Sequence, residues 1–406
     1  MATVKPYKAL RPKKELAVKV ASKPYDVLSS AEAKEAVRGN PASFLHITKS
    51  EVDLPDEIDI HTEEVYNKAK ENLQKFQDEG ILAVEEKPCY YIYTLVMNGR
   101  SQTGLVCVSS VDDYFNNVIK KHEFTRPEKE KDRIEHISTT KAQTGKVFLA
   151  YNNVAEMDEL VNNWKNTHEP EYDFTADDGI QHTVWVVNED ATIETITNIF
   201  KEKVPATYIA DGHHRAASAA KVSKELPDSE NAKFFLTVIF PAGELAIMDY
   251  NRVVKDLNGH TETSFLATLK KDFDIHQSVE AVRPSQLHEF GMYLNGNWYC
   301  LQSKSDTYTS DPIGVLDVSI LAKNILDPLL GIKDQRTDKR IDFVGGIRGL
   351  DELIKRVDSG EMKVAFSLYP VTIQQLFDIA DSGEVMPPKS TWFEPKLRDG
   401  LLTHLL

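Results

Sequence analysis

The residues best suited to chemistry gather in one run, Val204-Pro205-Ala206-Thr207-Tyr208-Ile209-Ala210-Asp211-Gly212-His213-His214-Arg215-Ala216. A β-prone segment, Thr207 to Ala210, stops at Asp211-Gly212, and a strong helix former follows from Ala216 to Val222, so the polar residues occupy a strand-to-helix turn. That turn offers a carboxylate, a glycine that lets the backbone approach a ligand, two imidazoles and a guanidinium. All of them stand beside the free N–H groups of a starting helix, where an anion, phosphate above all, is favoured. The plainer account is that Asp211 caps the helix and Arg215 pairs with a surface acid; the directly attached His-His-Arg weighs against it. Zinc is a further competitor, but adjacent histidines diverge on a helix and no nearby Cys or third His completes a ligand set.

Two other clusters add to this inventory. His122-Glu123 falls at the junction between an expected helix, Val111 to Lys121, and a second one that Pro127 opens and that runs to about Thr140. A carboxylate at such a junction can point into a cleft. Lys131-Asp132-Arg133 and His136 follow inside the second helix, where a charge run commonly forms a solvated face. Near the C-terminus Pro387 and Pro388 hold Lys389, Ser390 and Thr391 out of regular structure, so that an ammonium and two hydroxyls can converge on a phosphate. A proline-stiffened loop is the alternative. Together the clusters contain what phosphoryl transfer needs: cations and N–H donors, a carboxylate for Mg²⁺, and a base for the attacking hydroxyl. Neither a Walker A run nor the Gly-x-Gly-x-x-Gly dinucleotide run is present, so any nucleotide must be cradled another way.

The elements that position these residues read as α/β. With 406 residues the chain has room for two or three domains, and 41% hydrophobic with 27% charged residues is ordinary for a globular protein. A formal net charge of −15 argues against nucleic acid as a partner. Cys89, Cys107 and Cys300 are too few and scattered for a disulfide framework, which suggests a reducing compartment. No signal-peptide pattern opens the chain and no run of eighteen apolar residues occurs, so the expectation is a cytoplasmic protein without a membrane partner. Helices are expected over Ser30–Arg38, Thr62–Glu79, Val154–Asn163, Ile193–Lys201, Ser264–Lys271, Val315–Leu330, Leu350–Ser359 and Ile373–Ser382. Cys89–Val96 and Thr103–Val108 form an expected hairpin around Asn98-Gly99. Strands are expected at Val147–Tyr151, His182–Val187 and Lys363–Tyr369, and Phe234–Phe240 is expected to pair with Glu244–Met248.

As a set, Lys23-Pro24-Tyr25-Asp26-Val27, His122-Glu123, Lys131-Asp132-Arg133, Asp211 to Arg215 and Met386-Pro387-Pro388-Lys389-Ser390-Thr391 resemble the domain-of-unknown-function 1015 family over essentially the whole chain. Three of these motifs are also similar, in the same order, to those of the archaeal free serine kinase of the ParB and sulfiredoxin-like superfamily, which phosphorylates free L-serine from an adenine nucleotide. The resemblance implies an α/β (α+β) fold with a ParB/sulfiredoxin-like catalytic core and a mixed sheet. It further implies an N-terminal region 1–110, a nucleotide-binding core 111–260, and a C-terminal region 261–406 carrying the Pro-Lys-Ser-Thr loop. Glu123 would be the general base, with His122 and Asp211 beside it in the catalytic set. Gly212, His213, His214, Arg215, Lys389, Ser390 and Thr391 would hold phosphates, and Asp211 would lie near Mg²⁺ or substrate. ATP or ADP would be the donor, and L-serine or a similar small molecule the acceptor. The chain departs from that kinase by a long insertion between Glu123 and Asp211 and by added N-terminal residues, which can build a different acceptor pocket. A nucleotide-binding switch without transfer chemistry, and a phosphatase with His213 or His214 as nucleophile, are the competing readings.

Overall fold

Asn98 and Gly99 both take left-handed backbone, φ 53° and 78°, and this tight turn is what closes the expected hairpin. In the computed structural model, which describes residues 1–406, that hairpin lies in the middle of a nine-stranded mixed sheet. Its strands are β1 (Val4–Lys5), β2 (Tyr90–Met97), β3 (Arg100–Ser110), β4 (Ile119–Lys120), β5 (Val147–Tyr151), β6 (Tyr172–Thr175), β7 (Gln181–Val187), β8 (Thr207–Asp211) and β9 (Phe234–Pro241). The order is β4–β8–β5–β9–β3–β2–β7–β6, with β1 paired to β3. The chain divides into two units, residues 1–245 with 395–406, and residues 246–394. The expected boundaries at 110 and 260 therefore give way: β2 and β3 hydrogen-bond into the same sheet as β5, β8 and β9, so no break falls at 110.

Five helices of the first unit matter here: α1 (Glu63–Asp78), α2 (Pro127–Thr140), α3 (Ala155–Thr167), α4 (Asp190–Lys203) and α5 (His213–Glu225). Ile92, Leu105, Leu149, Ile209 and Ile239 of the sheet share one buried cluster with Trp164 of α3, Phe200 of α4 and Ala216, Ala219 and Ala220 of α5. The alanine-rich buried face of α5 allows close packing with little side-chain entropy to lose. A second cluster joins Phe44 and Ile47 to Leu73 and Phe76 of α1. The expected helix over Val111–Lys121 stops at Phe115. Asn117 turns left-handed at φ 57°, and the β-branched Val118-Ile119 that follow suit a strand, so Ile119–Lys120 joins the sheet as β4. β6 was not expected; it is a short edge strand of four residues inside a polar link.

The second unit is a six-stranded antiparallel sheet of β10 (Tyr250–Val254), β11 (Phe273–Ser278), β12 (Glu289–Leu294), β13 (Asn297–Ser303), β14 (Ile341–Gly345) and β15 (Val364–Leu368), ordered β11–β13–β12–β15–β10–β14. The expected pairing of Phe234–Phe240 with Glu244–Met248 does not form. Both edges of β9 are already taken by β3 and β5, and Ile247–Met248 pairs instead with Trp392–Phe393. The expected helix Val315–Leu330 is α-helical only over Asp317–Leu321 and then widens to a π turn over Ala322–Leu326, ahead of the Asp327-Pro328 step that disfavours helix. Ile373–Ser382 forms as expected, with a Thr372/Gln375 capping box and Gly383 at φ 75° closing it. No helix is long and apolar enough to cross a membrane.

Candidate active site

β4 and β8 are parallel neighbours, with Ile119 opposite Thr207 and Lys120 opposite Tyr208. Their carboxyl ends therefore leave the sheet side by side, and His122-Glu123 and Asp211-Gly212 are the residues that emerge there. Ligands of open α/β sheets bind at this kind of place. Between Ile209 and Asp211 the register against β5 shifts, a bulge that re-aims the last residue of β8. Gly212 then sits at φ 97°, ψ 31°, and α5 starts with no side-chain cap, so Asp211 is not spent on capping. A Cβ on Gly212 would stand 3.0 Å from Cζ of Arg215, which shows how closely the guanidinium folds over the turn.

Opposite charges fix the Asp211 carboxylate. Nζ of Lys396 and Nη2 of Arg215 each approach it to 3.5 Å. Burial on its own would raise its pKa, but Lys396 and Arg215 outweigh that and hold the carboxyl well below the usual range. Arg215 is itself buried; it reaches Asp26 at 3.9 Å and donates through Nη1 to the carbonyl of Lys146. Behind it stand Lys146, whose Nζ donates to the carbonyl of Arg398 at 2.9 Å, and buried Asp399. Burial pushes the Lys146 ammonium down to about 8 and the Asp399 carboxyl up to about 6. Oδ2 of Asp399 has no hydrogen-bond partner.

The two histidines of the turn face the loop that carries Glu123. The backbone N–H of His122 donates to Nε2 of His213 at 3.4 Å, and the N–H of Arg126 donates to Nε2 of His214 at 3.0 Å. Nδ1 of His213 lies 3.7 Å from Oε2 of Glu123, whose side chain is 53% exposed. The rings of His122 and His213 meet edge to face at 4.5 Å. Burial pushes His122 down to about 4, and burial together with His122 holds His213 well below the ordinary histidine value, so both rings are neutral at pH 7.

Within the Lys131-Asp132-Arg133 run only Lys131 is exposed, and Asp132 and Arg133 turn inward. Arg133 is buried, stacks 3.9 Å over the ring of Tyr25 and pairs with Asp132 at 2.7 Å, while Asp132 also accepts from Tyr66 at 3.0 Å. Tyr25, Arg133, His136, Gly145 and Arg215 line a cavity of about 20 Å³, room for one water.

Lys389, Ser390 and Thr391 belong to the second unit. There Lys389 takes φ 58°, fully buried Arg252 donates to the carbonyls of Lys389 at 3.1 Å and Pro388 at 3.4 Å, and the Ser390 hydroxyl donates to the carbonyl of Pro387 at 2.6 Å. Nζ of Lys389 lies 5.6 Å from the Tyr250 ring centre. The structure thus gathers His122, Glu123, Asp211, Gly212, His213, His214 and Arg215 within the first unit. Sequence reasoning did not assign Lys396, Lys146, Asp399 or a role for Asp26. The available signal was Pro395-Lys396-Leu397-Arg398-Asp399, charges interleaved with leucine and matching no helical period.

No curated protein matches the chain. Among solved structures it is similar to a free serine kinase in complex with AMP, at 14% identity and TM-score 0.36, covering 74% of this chain and 87% of that one. It is similar also to a conserved hypothetical protein from Pyrococcus furiosus, at 16% identity and TM-score 0.36, covering 74% and 95%. A C-terminally truncated SbnI from Staphylococcus aureus follows at 10% identity and TM-score 0.38, covering 74% and 87%. The family model described as "Protein of unknown function (DUF1015)" matches residues 4–319, most of the 406, and the chain belongs to that family.

Proposed function

We propose that the protein is a small-molecule kinase that moves a phosphoryl group from an adenine nucleotide to the hydroxyl of free L-serine, giving O-phosphoserine. The observation that carries this reading is the pairing of β4 with β8, which delivers Glu123 and the Asp211-to-Arg215 turn to one edge of one sheet. The motifs shared in order with the free serine kinase supply the substrate class. Glu123, half-exposed at the loop, accepts the serine hydroxyl proton as that oxygen attacks phosphorus and the bond from phosphorus to the nucleotide oxygen breaks. Arg215, Lys396 and the backbone at Gly212 hold the phosphate oxygens.

The donor set fits Mg²⁺ in its usual mode, one protein carboxylate completed by phosphate oxygens. Asp211 is the carboxylate that would hold it: its side chain is 37% exposed, and the neighbouring cations keep it ionised. No group of three His, Cys, Asp or Glu side chains is arranged to hold a metal without such help. When bound, Mg²⁺ would neutralise charge developing on the transferred group.

The test is to incubate the protein with Mg²⁺, a panel of free amino acids and small hydroxy acids, and ATP or ADP in turn, reading acceptor phosphorylation by mass. Phosphoserine that disappears in Glu123→Gln is the expected result. Bound nucleotide with no phosphorylated acceptor would replace the kinase by a nucleotide-dependent switch.

A further inference from the structure

Residues 121–126 lie outside helix and strand, yet the loop carries Glu123. Its two ends are each held by a histidine from the start of α5. His213 accepts the N–H of His122, and His214, one position on, accepts the N–H of Arg126. Consecutive helical residues point about 100° apart, so two adjacent rings can reach two points four residues apart on a crossing loop, which a single ring cannot. A neutral imidazole that accepts at Nε2 carries its proton on Nδ1. On His213 that places the N–H toward Glu123, 3.7 Å away. In both rings the Nε2 atom is an acceptor satisfied by the loop, so it cannot donate to a phosphate.

We propose that His213 and His214 are positioning residues that clamp the His122–Arg126 loop at both ends and so fix where the Glu123 carboxylate stands, rather than ligands that bind phosphate through Nε2. Between the two clamped amides the loop presents Glu123 and Phe124, the latter 75% exposed. The clamp also explains the order Asp-Gly-His-His-Arg: the outer residues meet each other across the turn, and the middle pair faces the loop.

Residue-resolved amide exchange of the full chain tests the clamp without requiring any activity. His214→Ala should speed exchange of the Arg126 amide about tenfold, the loss of one hydrogen bond, while leaving the His122 amide slow. His213→Ala should do the converse. His214→Gln places a carbonyl oxygen near the lost Nε2 and should restore protection of Arg126. Unchanged exchange in His214→Ala, or equal loss in the Ala and Gln variants, would overturn the proposal. Because His214 is only half-buried, its variants decide the matter if thermal melts show that His213→Ala does not fold.

The kinetic arm rests on Glu123 being the base. There, His214→Ala should lower kcat with nucleotide KM within about twofold, and His214→Gln should recover it. A raised nucleotide KM that Gln does not repair would mean phosphate binding and overturn the clamp. Absence of phosphoryl transfer in the unmodified protein would sink the kinase reading and leave the exchange result standing.

Discussion

At the scale of single residues, charge is placed where burial alone would not keep it. Asp211 stays ionised because Lys396 and Arg215 stand 3.5 Å away. In Lys396→Ala its carboxyl should titrate closer to the ordinary value of about 3.9, a rise that carboxyl-carbon NMR would show. An unmoved titration would mean that Arg215 suffices. Burial acts the other way on His122, His136, His182 and His404, all in the first unit, pushing them down to about 4, 4, 3 and 4. An unfolded histidine titrates near 6.5, so these four contribute stability that is present above about pH 6.5 and is lost as pH falls toward 4. Each can remove up to roughly 1.4 kcal/mol per pH unit in that window. Asp399, raised to about 6, opposes this, since its contribution is present below about pH 3.9 and is lost as pH rises through 6. His213 and His214 are lowered as well and Asp113 is raised, so in the first unit the lowered histidines outnumber the raised carboxyls and its urea midpoint should drop between pH 6.5 and 4; a level midpoint would show that the histidines are hydrated.

At the scale of elements, two glycines with similar φ should behave differently. Gly99 turns the β2–β3 hairpin in open space, whereas an added Cβ on Gly212 meets the Arg215 guanidinium at 3.0 Å. Gly99→Ala should cost about 1 kcal/mol for left-handed backbone alone. Gly212→Ala should cost about 1–3 kcal/mol and also displace Arg215 from Asp211. Denaturant titration of both variants separates the cases; equal losses would mean that the guanidinium simply moves aside. Local signals foretold α5, β8, the β2–β3 hairpin and the start of α2 at Pro127, because proline, glycine and periodicity act within a few residues. They missed β4 and the true partner of Ile247–Met248. Those depend on which sheet edges remain free, a property of strands far away in sequence.

At the scale of the whole molecule, the last residues of the chain return to the first unit. Thr403 and Leu10 exchange backbone hydrogen bonds at 2.9 and 3.0 Å, Asp399 donates to Ser22 at 2.9 Å, and Leu406 to Lys141 at 2.9 Å. Leu401 and Leu402 are fully buried there. Leu402→Ala should therefore destabilise the first unit by about 2–5 kcal/mol, as a core truncation does. Val279→Ala, at a fully exposed position of the second unit, should stay within about 0.5 kcal/mol. Thermal and urea melts of the two variants compare them directly, and a small loss for Leu402→Ala would show that the C-terminal segment is loosely held.

The sequence by itself determined the chemistry on offer: Asp211 to Arg215 on a strand-to-helix turn, Glu123 on a loop before Pro127, and Lys389 to Thr391 between prolines. Residue type, turn chemistry and short periods are written locally, and so is the family resemblance its motifs carry. Only the tertiary structure decided that β4 and β8 run parallel and bring Glu123 to His213 of the Asp211-to-Arg215 turn. It alone placed Lys396 from the C-terminal segment opposite the Asp211 carboxylate, buried Arg133 against Tyr25, and turned the Nε2 atoms of His213 and His214 to the Glu123 loop. Those outcomes rest on strand order and on packing between segments up to 185 residues apart, such as Asp211 and Lys396. No local pattern of hydrophobicity or charge encodes such pairings, because they are selected by the burial of the whole unit at once.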